Sequence, residues 1–171
     1  MNRLIKEAMN GDADSFVELM KQNMQSMYKT AWVYLKNDSD VADAIQDTIL
    51  ACYEKMDTLR NAKYFKTWMT RILINKCKDI LRARMDYEDI EIVQEMGRLD
   101  QQFDALEWKQ MLNSLDEKYS AVLLMYYYDG LSVNEIGDIL QLNKNTVLTR
   151  LRRARKLLKQ EYCFSRVAEV N

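Results

Sequence analysis

The sequence predicts an all-α protein: two small helical domains joined by a flexible acidic linker, the C-terminal one a helix-turn-helix. Three observations carry that expectation. The 171 residues include no proline and four glycines, so little in the chain breaks a helix. Apolar residues recur at steps of three and four over most of its length, the spacing of one helical face. Residues 86–104 lose that spacing and hold a surplus of acids with Gly97 among them, which suits a connector.

The elements follow in order. A helix is expected from Gly11 to Lys36, opened by Ser15 with Glu18 three residues on, its apolar face formed by Phe16, Met20, Met24, Met27, Ala31 and Leu35. Asn37 to Ser39 breaks it. A second helix, Asp40 to Leu59, buries Val41, Ile45, Ile49, Cys52 and Met56 and turns Asp40, Asp43, Asp47 and Glu54 outward. A third, Tyr64 to Arg84, has Phe65, Trp68, Met69, Ile72 and Ile80 inward and a strongly basic remainder. Beyond the connector, helices are expected over Phe103 to Ser114 and Asp116 to Tyr128, the latter closed by Gly130 in the left-handed position past a helix end. Ser132 and Glu135 form a capping box for a short helix to Leu140. Gln141 to Lys144 makes a tight turn, Asn145 to Gln160 the last long helix, and Glu161 to Asn171 a tail.

Composition removes several classes of function. Histidine is absent, and Cys52, Cys77 and Cys163 are odd in number and far apart, which argues against zinc, disulfides and histidine-based catalysis. The cysteines are expected to be buried apolar groups. No apolar run reaches the roughly 18 residues of a membrane span, so no membrane insertion is expected. The first ten residues lack the features of a secretory signal, which places the protein in the cytoplasm. No cofactor is expected.

The formal net charge of −1 conceals a segregation of charge. From Leu140 to Gln160 the charged residues are Lys144, Arg150, Arg152, Arg153, Arg155, Lys156 and Lys159, with no acid among them. A short helix, a turn and a longer basic helix make the pattern whose second helix enters the DNA major groove. At about 100° per residue, Val147, Leu151, Ala154 and Leu158 form one stripe that can pack on Val133, Ile136 and Leu140. The opposite side then shows Asn145, Thr149, Arg152, Arg153 and Lys156. Arginine pairs with guanine edges and asparagine with adenine, so this side has the chemistry of base readout. Lys144, Thr146, Arg150 and Lys159 lie nearer the flanks and suit phosphates. In the amino-terminal half, Asp40, Asp43 and Asp47 share a helix face that can meet a basic partner, with Gln46 adding hydrogen bonds. Lys63, Tyr64, Lys66, Trp68, Arg71, Asn75 and Lys78 combine aromatic rings with cations, a mixture that can hold unstacked bases and their phosphates.

At these residues the chain resembles the extracytoplasmic-function sigma factors of the sigma-70 family. Leu115-Asp-Glu-Lys-Tyr through Tyr128-Asp-Gly-Leu-Ser-Val-Asn-Glu-Ile, then Asn145-Thr-Val-Leu-Thr-Arg-Leu-Arg-Arg-Ala-Arg, resembles their minus-thirty-five-reading region. It departs at Leu142-Asn-Lys-Asn, where a proline and a glycine are frequent, and at Leu148, where a basic residue is common. Asp40-Val-Ala-Asp-Ala-Ile-Gln-Asp resembles the polymerase-binding segment, and Tyr64-Phe-Lys-Thr-Trp-Met-Thr-Arg-Ile the promoter-melting segment.

The resemblance implies sigma region 2 over residues 1–85, a linker over 86–104, sigma region 4 over 105–164 and a tail over 165–171. It further implies core RNA polymerase as partner, met through the coiled coil of its largest subunit, together with promoter DNA and an anti-sigma factor. The loop from Leu59 to Lys63 would capture an unstacked base of the minus-ten element, with Asn61 best equipped to hydrogen-bond it. The function implied is promoter-specific initiation, without enzymatic activity. Two rival readings stand beside it: a dimeric helix-turn-helix regulator, and an all-α metal-dependent nucleotide hydrolase using Asp40, Asp43 and Asp47.

Overall fold

The computed structural model describes residues 2–87 and 104–168, and the side chains of residues 3–85 and 108–160. Most of the expected linker, Phe103, the side chain of Cys163 and the last three residues lie outside that description. Every described element is helical. The chain divides into two compact units, Met1–Leu99 and Asp100–Asn171.

In the first unit, α1 (Asn2–Met9) precedes the helices expected from the sequence and buries Ile5 and Ala8. Eight residues are too few to hold a helix by propensity, so packing sustains it. Gly11 turns the chain at φ +91°, a conformation open to glycine. The cap of α2 (Ala13–Leu35) is Asp12, whose Oδ1 accepts the Ser15 N–H at 2.6 Å; the expected Ser15 and Glu18 pair does not form it. Phe16, Met20, Met27, Ala31 and Leu35 are buried as expected, whereas Met24 is exposed. Leu19, Asn23 and Val33 widen the buried arc to the other side, because α2 packs against α1, α3 and α4.

Asn37 caps α3 (Asp38–Glu54), its Oδ1 accepting the Asp40 N–H at 3.0 Å. Val41, Ile45, Cys52 and Met56 are buried and Ile49 half-buried. The helix ends five residues before the expected Leu59, giving way to short 3-10 turns at Met56–Thr58 and Ala62–Tyr64. In α4 (Phe65–Tyr87) the core runs through Phe65, Met69, Leu73, Ile74 and Cys77. Trp68, Ile72 and Ile80, expected inward, are half-buried. The helix is wedged against both α2 and α3, which rotates its buried arc toward Thr67 and Thr70.

The second unit comprises α5 (Asp104–Asn113), α6 (Glu117–Tyr127), α7 (Val133–Leu140) and α8 (Lys144–Ala168). The buried Ser120 hydroxyl donates to the Leu112 carbonyl at 2.9 Å, tying α6 to α5. Gly130 takes φ +68° past the end of α6, where Leu131 N–H donates to Met125 O at 2.9 Å. The capping box is present: Glu135 N–H donates to Ser132 Oγ at 3.3 Å and Ser132 N–H to Glu135 Oε2 at 2.9 Å. Helix α8 continues eight residues past the expected end at Gln160, with no proline or glycine to stop it.

Cys52 and Cys77 are both buried, and burial pushes the Cys52 thiol up to about 12. Among the described residues no helix is long and apolar enough to cross a membrane.

The turn between α7 and α8 depends on Gly137, where a Cβ would stand 2.7 Å from the Leu142 carbonyl oxygen. That oxygen is backbone and cannot swing aside. Gly137→Ala gains about 1 kcal/mol of helix propensity against roughly 1–3 kcal/mol of overpacking. The expected outcome is a lower urea midpoint for the second unit; a raised midpoint would show that the turn relaxes without cost.

Candidate protein and nucleic-acid interfaces

Helix α3 buries one side against α2 and α4 and leaves another to solvent. Asp43, Gln46 and Asp47 are exposed there. Asp47 lies 3.6 Å from Lys76 of α4, and their side chains are 59% and 34% exposed. A pair so wet contributes little to stability. Asp40 departs from the sequence expectation: its side chain is largely enclosed and meets Arg84 of α4. The three acids therefore do not converge as metal ligands would, and among the described residues no cluster of three His, Cys, Asp or Glu could hold a metal. Two residues of this face escaped the sequence reading. Leu50 and Tyr53 are 57% and 60% exposed, and their steps of four and seven from Gln46 place them on its side of the helix. The signal was present as apolar residues outside the buried stripe.

At the start of α4, Asn61 accepts the Lys63 N–H through Oδ1 at 2.9 Å, which leaves its amide NH2 group as a donor toward solvent. The Lys63 ammonium lies 5.8 Å from the centre of the Tyr64 ring, and Tyr64 is exposed. Trp68 is half-buried with its ring 6.2 Å from that of the wholly buried Phe65. Trp68, Arg71 and Asn75 follow at steps of three and four and share the outer side of α4. Arg71, Asn75 and Lys78 are exposed. Lys66, about 160° around the helix from Trp68, is half-buried and does not join them.

In the second unit Val147, Leu151 and Ala154 of α8 are wholly buried and Leu158 half-buried. The stripe does not lie on α7 alone. Ile136 and Ile139 of α7 are buried and Val133 and Leu140 half-buried, while Ala154 and Leu158 join Leu115, Tyr119 and Leu123 of the preceding hairpin. Asn143 caps α8: its Oδ1 accepts the Thr146 N–H at 2.8 Å and the Thr146 hydroxyl at 2.9 Å. Thr146 is thus partly engaged within the protein. Lys144, Asn145, Arg152, Arg153 and Lys156 are exposed, and Thr149 and Arg150 half-buried.

An open concavity of about 560 Å³ lies along one flank of this helix, lined by Asn143, Asn145, Thr146, Thr149, Arg150 and Arg153, and by Lys118 and Tyr119 of α6. Arg152 and Lys156 do not line it. The Lys118 ammonium stands 3.0 Å from Asp116 and 5.0 Å from the Tyr119 ring centre. Lys118, Tyr119 and Asn143 were not anticipated. An asparagine just ahead of a basic helix is a cap signal that could have revealed Asn143, but no local pattern brings the start of α6 beside α8. On the other flank, the Arg155 guanidinium lies 5.9 Å from the Tyr127 ring centre.

Comparison with known proteins places this geometry. Residues 19–86 match the family model of sigma-70 region 2, and residues 105–158 that of sigma-70 region 4. RNA polymerase sigma factor SigV of Bacillus subtilis is 32% identical over 148 residues, covering 84% of this chain and 88% of the relative. ECF RNA polymerase sigma factor SigW of the same organism is 27% identical over 179 residues, covering 94% and 96%. The sigma factor RpoE of Bartonella quintana, solved in complex with the anti-sigma factor NepR, has the same fold: TM-score 0.71, 20% identity, 86% of this chain and 96% of that one. Region 2 followed by region 4, over nearly the full length of such relatives, is the organisation of one group of non-catalytic transcription factors. The chain belongs to the extracytoplasmic-function sigma factors of the sigma-70 family, which direct RNA polymerase to initiate transcription.

Proposed function

We propose that the chain divides the work of initiation among three helical surfaces, without chemistry of its own and without a cofactor, in the cytoplasm. Residues 1–85 act as region 2, 86–104 as linker, 105–164 as region 4 and 165–171 as tail. Asp43, Gln46 and Asp47 of α3 dock on the coiled coil of the polymerase's largest subunit. Asn61, Lys63, Tyr64, Trp68, Arg71 and Asn75 hold the opened minus-ten strand, and Lys66, on the far side of α4, stands apart from them. The amino-terminal part of α8 reads the minus-thirty-five element. A cytoplasmic anti-sigma segment is the expected regulator, in keeping with the complex in which the Bartonella quintana relative was solved.

The observation that carries this reading is the sidedness of α8. Its apolar stripe is wholly buried at Val147, Leu151 and Ala154, so the exposed cations face outward with no freedom to rotate inward. The concavity supports a finer division. Arg153 lines it and Arg152 does not, which favours Arg153 over Arg152 as the base reader, with Lys118 on the far wall suited to a phosphate. The overall test is transcription from genomic fragments by core polymerase with and without the protein, with start sites mapped. Failure to alter the start sites would sink the assignment.

Asp43→Lys with Asp47→Lys is expected to weaken core binding about tenfold or more at unchanged helicity, since like charges placed opposite one another cost several kcal/mol. Unchanged affinity would move the docking site elsewhere.

Asn61→Ala and Tyr64→Ala are expected to reduce open complexes more than closed ones, with much of the loss recovered on a premelted template. Asn61→Asp separates two roles. It keeps the acceptor that caps Lys63 N–H but removes the NH2 donor, so wild-type opening by Asn61→Asp would reduce Asn61 to a cap.

Arg153→Ala is expected to cost roughly 1–3 kcal/mol and relax preference at one position, whereas Lys118→Ala weakens all sequences alike and lowers the salt slope by about one. Polymerase complexes compared on a library randomised across the upstream element, at two salt concentrations, distinguish them. A uniform loss from Arg153→Ala would rotate the reading face of α8 away from the concavity.

A further inference from the structure

The ion pairs Lys76–Asp47 and Arg84–Asp40 join α4 to α3, and they differ in kind. Lys76 and Asp47 are 3.6 Å apart with side chains 34% and 59% exposed, so an outside cation can compete for Asp47. Arg84 is about as exposed as Lys76, at 36%, but Asp40 is far more enclosed than Asp47, at 21%, and its Oδ2 is closed off from solvent. The acids lie seven residues apart on α3 and the cations eight apart on α4, in the opposite order, so an antiparallel helix pair carries a rung every two turns. Asp43 lies between the rungs, exposed, and no ion pair reaches it among the described residues.

A guanidinium stays charged at any accessible pH and holds a carboxylate through a planar fork. Beyond the contact itself, such a pair projects almost no net field, because the opposite charges cancel at distances longer than their separation. Asp40, Asp43 and Asp47 are equivalent in the sequence pattern, and the fold makes them unequal.

We propose that Arg84 is a positioning residue of the polymerase-docking face: it holds Asp40 as an internal counter-ion, ties the end of α4 to the first turn of α3, and leaves Asp43 and Asp47 as the acids offered to the polymerase. The proposal rests on the reading of α3 as the docking helix.

The test measures affinity of the full-length protein for core polymerase across a salt series, with helicity and melting midpoint alongside. Asp43→Asn and Asp47→Asn are expected to flatten the dependence of log affinity on log salt. Arg84→Gln is expected to steepen it, because Asp40 is then uncompensated, an effect that a purely structural residue would not produce. The double variant Asp40→Asn with Arg84→Gln, which restores a neutral pair, is expected to return both slope and affinity to within about twofold of the wild type. That double variant keeps the test decisive even where Arg84→Gln alone folds poorly. An unaltered slope in folded Arg84→Gln, or a double variant as weak as Asp43→Asn, overturns the proposal and makes Asp40 a direct polymerase contact. Asp43→Asn and Asp47→Asn both without effect overturn the docking reading itself, and the proposal with it.

Discussion

The rotation of a helix about its own axis is fixed by the stripe it buries, and each exposed charged surface of this chain inherits its direction from that constraint. For α8 the stripe is Val147, Leu151 and Ala154, all without solvent contact. Turning the helix by one residue would expose these groups and bury arginines, at about 1.5–3 kcal/mol for each large apolar side chain before the cost of desolvating charge. The basic side therefore needs no partner to aim it. The same holds in α4, where Phe65, Met69 and Leu73 point inward and Arg71 and Asn75 are left outward.

Charge is organised by the same geometry. Acids and cations nearly cancel over the whole chain, in a total of −1, so net charge says little about the acids of α3 or the cations of α8. Within the first unit, the cations of α4 divide between roles: Lys76 and Arg84 meet α3, while Arg71 and Lys78 belong to the outer side. The two sets of cations on α4 thus face different sides of one helix, because each residue steps about 100° around the axis.

Local sequence reported well on whatever is decided within one or two helical turns. The capping box at Ser132 and Glu135, the left-handed Gly130 and the stripes of α3 and α8 are such features, and each is present in the structure. It reported poorly on contacts between elements. α1 is sustained by packing on α2. Asp40 meets a residue from the far end of α4, and Lys118 comes beside α8 only through the fold. Met24 and Trp68 fit their apolar stripes yet stand at the margins, since a buried arc is set by how many helices press on it rather than by period alone. The cap of α2 fell to Asp12 over Ser15 because Gly11 places the turn three residues earlier.

The exposed face of α3 combines two kinds of group that do different work at a protein interface. Carboxylates such as Asp43 and Asp47 act at range: they orient an approaching basic surface and raise the rate of encounter, but in water each contact adds little to final affinity. Leu50 and Tyr53 act at contact only, and they stand 57% and 60% exposed on the same side. Covering a large apolar side chain contributes about 1.5–3 kcal/mol, and buried aromatic residues are the commonest anchors of protein interfaces. On the proposed docking face, then, the acids select and steer while Leu50 and Tyr53 hold. Salt should weaken the first step far more than the second, because screening acts on charges across solvent and leaves apolar contact in place.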